Sequence, residues 1–402
     1  MIGKCLANFF LFFSLFPWLS FGFLSTDTQP YFIILSMALV FYFGAFNKKI
    51  LPLAIIPIGA SVVAVYYGVF DFFTGRALLG YSSVFFTCAA YYLTRKHYVK
   101  DIKKWIYFAN IVWLSVGCVQ SLINKNVFDF LVAVRTTPDR GVTGLSPEPT
   151  YYGIFLLFIS WIILNINNYN LRQRYVLLLL LLNVLAIVFL AKSTMVLLIL
   201  FYLLCFYAFS SLFKSYVNIL YLLLLSLISL LVFVNSDLIF DGSRMGGVIN
   251  QIKDSPFDVI YDDASINQRA RDLVYPILGA LDNFFLPNGF HSYAEYSNML
   301  DAKLNHFFWW GGGQNVIMSA SGSILYELGF ISIVFFVFSF FCFCRKKSLT
   351  GFFEYFAFSG ILFLAIPISF PLIYILMLEK RFSREFPKRK MLVYNNHTKS
   401  QI

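Results

Sequence analysis

The chain has 402 residues, 59% of them hydrophobic and 13% charged, with 49 Phe. That composition excludes an ordinary soluble globular domain. The net charge of +11 does not make it a nucleic-acid binder, because its distribution follows a membrane topology, with short loops alternating between basic and acidic.

Apolar runs long enough to cross about 30 Å of hydrocarbon recur at about 5–24, 30–46, 50–70, 77–93, 105–123, 150–166, 174–191, 194–212, 217–235 and 321–344. A last apolar block, roughly 352–378, contains Pro367 and Pro371 and is read as a hairpin broken near Pro367. The chain is therefore expected to be an all-α polytopic membrane protein with about twelve transmembrane helices and two large external loops. Residues 1–123 hold helices 1–5, 124–149 the first large loop, 150–235 helices 6–9, and 236–320 the main loop. Residues 321–379 hold the C-terminal helices and 380–402 a basic tail. Lys48-Lys49, the Arg95–Lys104 loop, Arg345-Lys346-Lys347 and the tail fall on one side with most of the 31 Lys and Arg, which marks that side as cytoplasmic and places both termini there. The first run follows a single Lys with no small-residue cleavage site after it, and reads as a retained helix. The six Cys lie within or at the ends of apolar runs, so packing is their role and no disulfide framework is expected.

In chain order, the first five spans are joined by short connections. Arg76, at a span boundary, reads as a snorkelling anchor. The loop 124–149 carries Arg135 and Arg140, and external arginines run against the topology bias. The planar guanidinium fork suits phosphate, which it binds bidentately. The loop ends in Arg140-Gly-Val-Thr-Gly-Leu-Ser-Pro-Glu-Pro-Thr-Tyr-Tyr-Gly153. Ser146-Pro147-Glu148 reads there as a helix start, with Ser146 as N-cap, Pro147 at the first position and Glu148 in the first turn. The same cap fixes Glu148 beside the arginines. Further on, the leucine run Leu177–Leu182 is consistent with a lipid-facing surface.

In the main loop, 263–281 has helical period, with Ile266, Ala270, Leu273, Val274, Ile277 and Leu281 on one face. Arg269 and Arg271 flank that face on opposite sides, and Asp272 points away. Such a helix suits the bilayer surface, with its guanidinium groups at headgroup height. Trp309 and Trp310 read as part of the interfacial aromatic belt. His291 and His306 have no metal-site spacing, so no metal or other cofactor is expected. Glu327, inside the start of a span, needs a partner, and an external arginine is the natural one.

Three pieces in this order carry a resemblance: Arg140-Gly-x-x-Gly with Glu148-Pro149 before a span, Ser265-x-x-x-Arg269 in the large loop, and Ser-x-x-x-x-Glu327-x-Gly329 opening the next span. Together with the topology, they resemble the Wzy-type O-antigen polymerase family of the polymerase and ligase superfamily. The resemblance implies a bacterial inner-membrane glycosyltransferase with a periplasmic site. Such an enzyme passes a glycan from undecaprenyl diphosphate en bloc to a new lipid-linked repeat unit, with inversion. Arg140, Arg269, Arg271 and Arg135 would hold the diphosphate. The base for the acceptor hydroxyl would be Glu148, His306 or His291. Gly141, Gly144, Ser265 and Glu327 would support the site. The implied partners are the donor and acceptor lipid-linked glycans, membrane lipid, and a flippase and chain-length regulator of the same pathway, with no nucleic acid. Superfamily ligases carry a His-Asn pair before the Glu-x-Gly span; the chain has Gln314-Asn315, which favours polymerase over ligase. An O-antigen ligase acting on lipid A-core is the alternative enzyme reading. A lipid-linked oligosaccharide flippase is the non-enzyme one, against which stand its long external loop and nearly uncharged spans.

Overall fold

The computed structural model describes residues 1–20, 28–167, 169, 173–212, 227, 233–239, 241–242, 244–311, 315–344, 349–364 and 366–382. Asp27, most of the ninth expected span (217–235), Gln314 and the basic tail beyond 382 lie outside these residues.

All regular structure among the described residues is helical. The N-terminal helices are α1 (Ile2–Leu15), α2 (Tyr31–Phe43), α3 (Ile55–Tyr66), α4 (Phe72–His97) and α5 (Val99–Leu122). They are followed by α6 (Pro149–Ile166), α7 (Arg174–Leu185) and α8 (Thr194–Leu212). In the main loop lie α9 (Arg244–Asp254), α10 (Ala264–Asp282) and α11 (Tyr293–Lys303). The chain then continues through α12 (Ala320–Leu328), α13 (Ile333–Phe343), α14 (Leu349–Leu364) and α15 (Pro371–Phe382). Among the described residues, five helices are long and apolar enough to cross a membrane: Phe72–His97, Asp101–Leu122, Pro149–Ile166, Arg174–Ala191 and Ala320–Phe343. Their ends obey local rules. Asp71 caps α4 by accepting the Thr74 amide at 2.7 Å, and Arg95, Lys96 and His97 occupy its last turn, opposite the helix dipole.

The bundle is built around α6. Nearly every residue from Tyr151 to Ile163 is buried, as expected for a helix that is apolar all round. Trp113 of α5 stacks on Phe155 with ring centres 4.0 Å apart and also faces Tyr152. The outer surfaces are apolar instead: Leu177, Leu178 and Leu181 of the leucine run are exposed, as are Ile58, Val62 and Val65 of α3. Exposed apolar faces of this extent call for lipid or protein against them.

The C-terminal block forms two helices separated around Pro367, with Pro371 opening α15. Glu354, near the start of α14, receives the Lys380 ammonium from the end of α15, so the chain reverses direction between the two helices, with α15 packed on α4, α6 and α13. Arg95 at the end of α4 pairs with Glu379 at 3.0 Å, and Tyr91 donates to the same carboxylate at 2.6 Å. Both acids are buried and individually matched.

Two expectations change. The start of α6 is shifted by two residues: Glu148 is the N-cap and Pro149 the first helical residue. A residue before proline is driven out of the helical region, and Glu148 is accordingly extended at φ −137°, ψ 151°. The Ser146 hydroxyl donates to the carbonyls of Thr143 and Glu148, bracing the turn rather than capping the helix.

The second change concerns α10. Its buried positions are Asn267, Arg271, Asp272, Tyr275, Pro276, Gly279 and Ala280, centred on the side away from the apolar stripe. Asp272 thus points inward, where the Arg271 guanidinium lies 3.3 Å away and Tyr293 donates to it at 3.1 Å. The apolar stripe is left partly open, with Leu281 half exposed.

Candidate anion and lipid site

The first large loop holds no helix between Asn124 and Glu148, yet it is tightly tied. The Lys125 ammonium collects the carbonyls of Thr137 and Pro138, at 3.2 and 2.9 Å, together with that of Arg140. Burial lowers the pKa of this ammonium, and the Lys192 charge lowers it further. Gln120 of α5 clamps the next turn, accepting the Gly144 amide at 2.6 Å and donating to its carbonyl at 3.1 Å. Gly144 sits at φ +59° against the Tyr152 ring, a conformation natural to glycine. Gly141 lies against the carbonyls of Leu190 and Ala191, where the chain beyond α7 forms a π-helical turn (Ala186–Ala191). The Val142 amide donates to that same Leu190 carbonyl at 2.9 Å. These contacts fix the backbone carrying Arg140.

The main loop brings the other cations. The Arg244 amide donates to the Asp139 carbonyl at 3.2 Å, joining the two loops. The Arg244 guanidinium grips both oxygens of Asp263, at 2.5 and 2.6 Å. Asp263 is also the N-cap of α10, accepting the amides of Ser265 and Ile266 at 3.0 and 2.9 Å. Burial pushes this carboxyl up, but the Arg244 and amide hydrogen bonds outweigh it, so it titrates below its ordinary value. From the capped start, Arg269 reaches toward Thr150 of α6, with 3.5 Å between Nη2 and the hydroxyl.

Arg140, Arg244 and Arg269 line a polar chamber of ≈ 370 Å³, with Glu148, Gln268 and Trp310 on its walls. Asn267 accepts the Trp310 amide at 3.1 Å and so holds that residue over the helix start. The three arginines and Thr150 also edge a second, apolar space of ≈ 620 Å³. Its walls are α8 (Leu198, Tyr202), α14 (Ala357, Gly360) and the apolar stripe of α10 (Ile266, Leu273). The inverted orientation of α10 thus has a consequence: its polar face anchors it to the protein and its apolar face lines the cleft.

The charges in the chamber are unevenly matched. Asp263 is taken by Arg244, and Glu148 lies 3.6 Å from the exposed Arg135. Among the described residues, Arg140 and Arg269 have no carboxylate within ion-pair distance. Burial lowers the pKa of both guanidinium groups, and the nearby Arg244 charge lowers each further. A cation cluster held this way gains from an incoming anion.

Of the residues singled out in the sequence, the chamber contains Arg140, Arg269, Glu148 and Ser265. Arg135 stands outside it as the partner of Glu148, and Gly141 and Gly144 hold the loop. Arg271 does not join: it is fully buried beside Asp272, more than half a helical turn from Arg269. Burial pushes the Asp272 carboxyl up although Arg271 opposes it. The Met318 amide and Ser319 hydroxyl bond to Asp272, so the Arg271–Asp272 pair anchors the chain entering α12. His306 is exposed after α11, and His291 bonds to Asp71 and Thr74 at 3.2 and 3.0 Å. Neither histidine lines the chamber. Glu327 is hydrogen-bonded at 2.5 Å by Tyr81 of α4, not paired with an external arginine. Arg244, Thr150, Gln268 and Lys192 are additions the sequence reading did not single out. For Arg244 the available signal was its place in the main loop, expected to be external, where an arginine runs against the topology bias.

Asp263→Ala removes both the α10 cap and the Arg244 partner. It is expected to lower stability by about 1–2 kcal/mol, read from thermal unfolding of the purified protein, whereas Asp263→Asn keeps the cap and loses less. Because the carboxyl titrates below its ordinary value in the fold, its contribution is full at neutral pH and lost as pH falls through that lowered value.

No protein-family model, curated protein or solved structure matches the chain at a significant level.

Proposed function

We propose that the chain is a polymerase of lipid-linked oligosaccharide repeat units, working at the periplasmic face of a bacterial inner membrane. In this reading the apolar runs make twelve crossings with both termini cytoplasmic, and residues 124–149 and 236–320 are the periplasmic loops. One observation carries it: two guanidinium groups, without a carboxylate partner among the described residues, stand where a polar chamber meets an apolar cleft. A lipid diphosphate has that division, an anionic head on an apolar tail. The sequence pieces that resemble the Wzy-type family supply the glycan chemistry.

In the transfer step, the acceptor hydroxyl oxygen bonds to the anomeric carbon as the bond from that carbon to the diphosphate oxygen breaks. The electron pair departs with undecaprenyl diphosphate, and Arg140, Arg269 and Arg244 stabilise the charge that collects on it. Glu148 is the base, since it is the only one of the three candidates on the chamber wall. Its carboxylate takes the hydroxyl proton directly or through water. The arginines supply the electrostatics on their own, and the leaving group is already activated.

The test is the glycan made by a deletion strain. Lipid A carrying a single repeat unit, with long chains restored by the wild-type gene, is the expected result. Long lipid-linked chains that accumulate without being ligated identify a ligase instead, and repeat units retained on the cytoplasmic face identify a flippase.

A further inference from the structure

A separate cavity of ≈ 780 Å³ opens beside α2, α4, α12 and the Pro367–Ser369 turn. Its walls are mostly apolar, and its exposed edge carries Phe72, Phe73 and Val316, so it faces the surroundings of the bundle. Its polar lining includes Arg76, His291 and Glu327, with Tyr81, Asn315 and Ser323 beside them. Arg76 lies one turn into a membrane-length helix, near its start, and is exposed. His291 is oriented by Asp71 and Thr74. Glu327 engages one carboxylate oxygen with Tyr81, and among the described residues its other oxygen has no donor.

The two sites share a wall. Asn315, Val316 and Ile317 line this cavity, and the next residue, Met318, lines the arginine chamber. Consecutive residues of one segment thus line both spaces, and bonds from Met318 and Ser319 to Asp272 hold that segment.

We propose that this cavity is the binding site of a second lipid-linked molecule, the acceptor, so that donor and acceptor lie on either side of the Asn315–Met318 segment. The assignment rests on the polymerase reading above. Charge decides which molecule goes where. The donor releases a diphosphate, and the chamber meets it with Arg140, Arg244 and Arg269. The acceptor keeps its phosphates and offers only a hydroxyl, so one cation at the rim is enough. The hydrogen-bonding groups of Glu327 and His291 suit sugar hydroxyls rather than a departing anion.

The test counts bound lipid. The full chain in detergent is equilibrated with undecaprenyl diphosphate and weighed by native mass spectrometry. Gly75 lines the second cavity and Gly360 the apolar cleft, and a Cβ at either meets nothing within 4 Å. Gly75→Trp and Gly360→Trp therefore each add bulk at the wall of one space from a position where the first side-chain carbon is accommodated. Wild type is expected to carry two lipids, each variant one and the double variant none. Arg76→Ala, at an exposed position, is expected to weaken the second binding event at least tenfold without any new bulk. One lipid on the wild type, lost in Gly360→Trp and kept in Gly75→Trp, overturns the second site while leaving the first intact. Two lipids retained in Gly75→Trp overturn it as well. No lipid on the wild type overturns both the second site and the polymerase reading.

Discussion

Replacing Arg140 or Arg269 by alanine is expected to stop chain extension while leaving membrane insertion and protein level unchanged. Removing one preorganised donor to a developing anion costs roughly 10²–10³ in rate. These two guanidinium groups have no carboxylate to fall back on among the described residues. Each loss is therefore expected to be at least about a hundredfold, read as the ratio of long-chain to single-repeat glycan in a complemented deletion strain. Arg140→Lys is expected to be poor too, because one ammonium cannot reproduce a planar fork. Arg271→Lys is a useful contrast. Its guanidinium lies beside Asp272, outside the chamber, so the variant should be impaired through lowered thermal stability rather than through a selective loss of extension. Normal chain lengths from both alanine variants would remove the phosphate-site reading.

The second large effect belongs to a residue with no side chain. A Cβ on Gly141 would land against the backbone carbonyls of Leu190 and Ala191, and a backbone in a π-helical turn cannot swing aside as a side chain does. The loop must lift, breaking the Val142–Leu190 hydrogen bond and moving Arg140. Overpacking of this kind costs about 1–3 kcal/mol, and Gly141→Ala is expected to lower the thermal midpoint and abolish extension together. Gly247 in α9 is the control. A Cβ there meets nothing, and exchange of a helical glycine for alanine is expected to be neutral or stabilising. An active Gly141→Ala protein of normal stability would show that the loop does not position Arg140.

The membrane class and most helix positions were legible in the sequence, because uncharged runs of this length have few other uses. The chain reversal near Pro367 was legible too, because the basic residues after it were expected on the same side as the other basic loops. The start of α6 was misplaced because Pro147 and Pro149 both offer an N1 position. The deciding fact is what Pro149 does to Glu148.

For α10 the period gave the helix and its apolar stripe, but not which face the protein would bury. In water the apolar face goes inward. Here the polar face packs, through Arg271, Asp272 and Tyr275, and the stripe lines a cleft. Residues two apart on a helix point about 200° from one another, so Arg269 and Arg271 could not share one target. Where His291 and His306 would lie depended on the path of a long loop, and local sequence carries no record of that.

The claim that most needs testing is that the arginines and the cleft hold one lipid diphosphate between them. A polyprenyl diphosphate with a diazirine in its first isoprene units, irradiated with the full-length protein and mapped by peptide sequencing, tests it directly. Labelling is expected at Met195–Tyr202 of α8 and Phe356–Ile361 of α14, the walls of the cleft. It is expected to fall at least tenfold when Arg140 and Arg269 are both alanine, and to be absent with the corresponding polyprenol. Labelling of those segments that persists undiminished in the double variant, or that the alcohol gives equally well, would contradict the account.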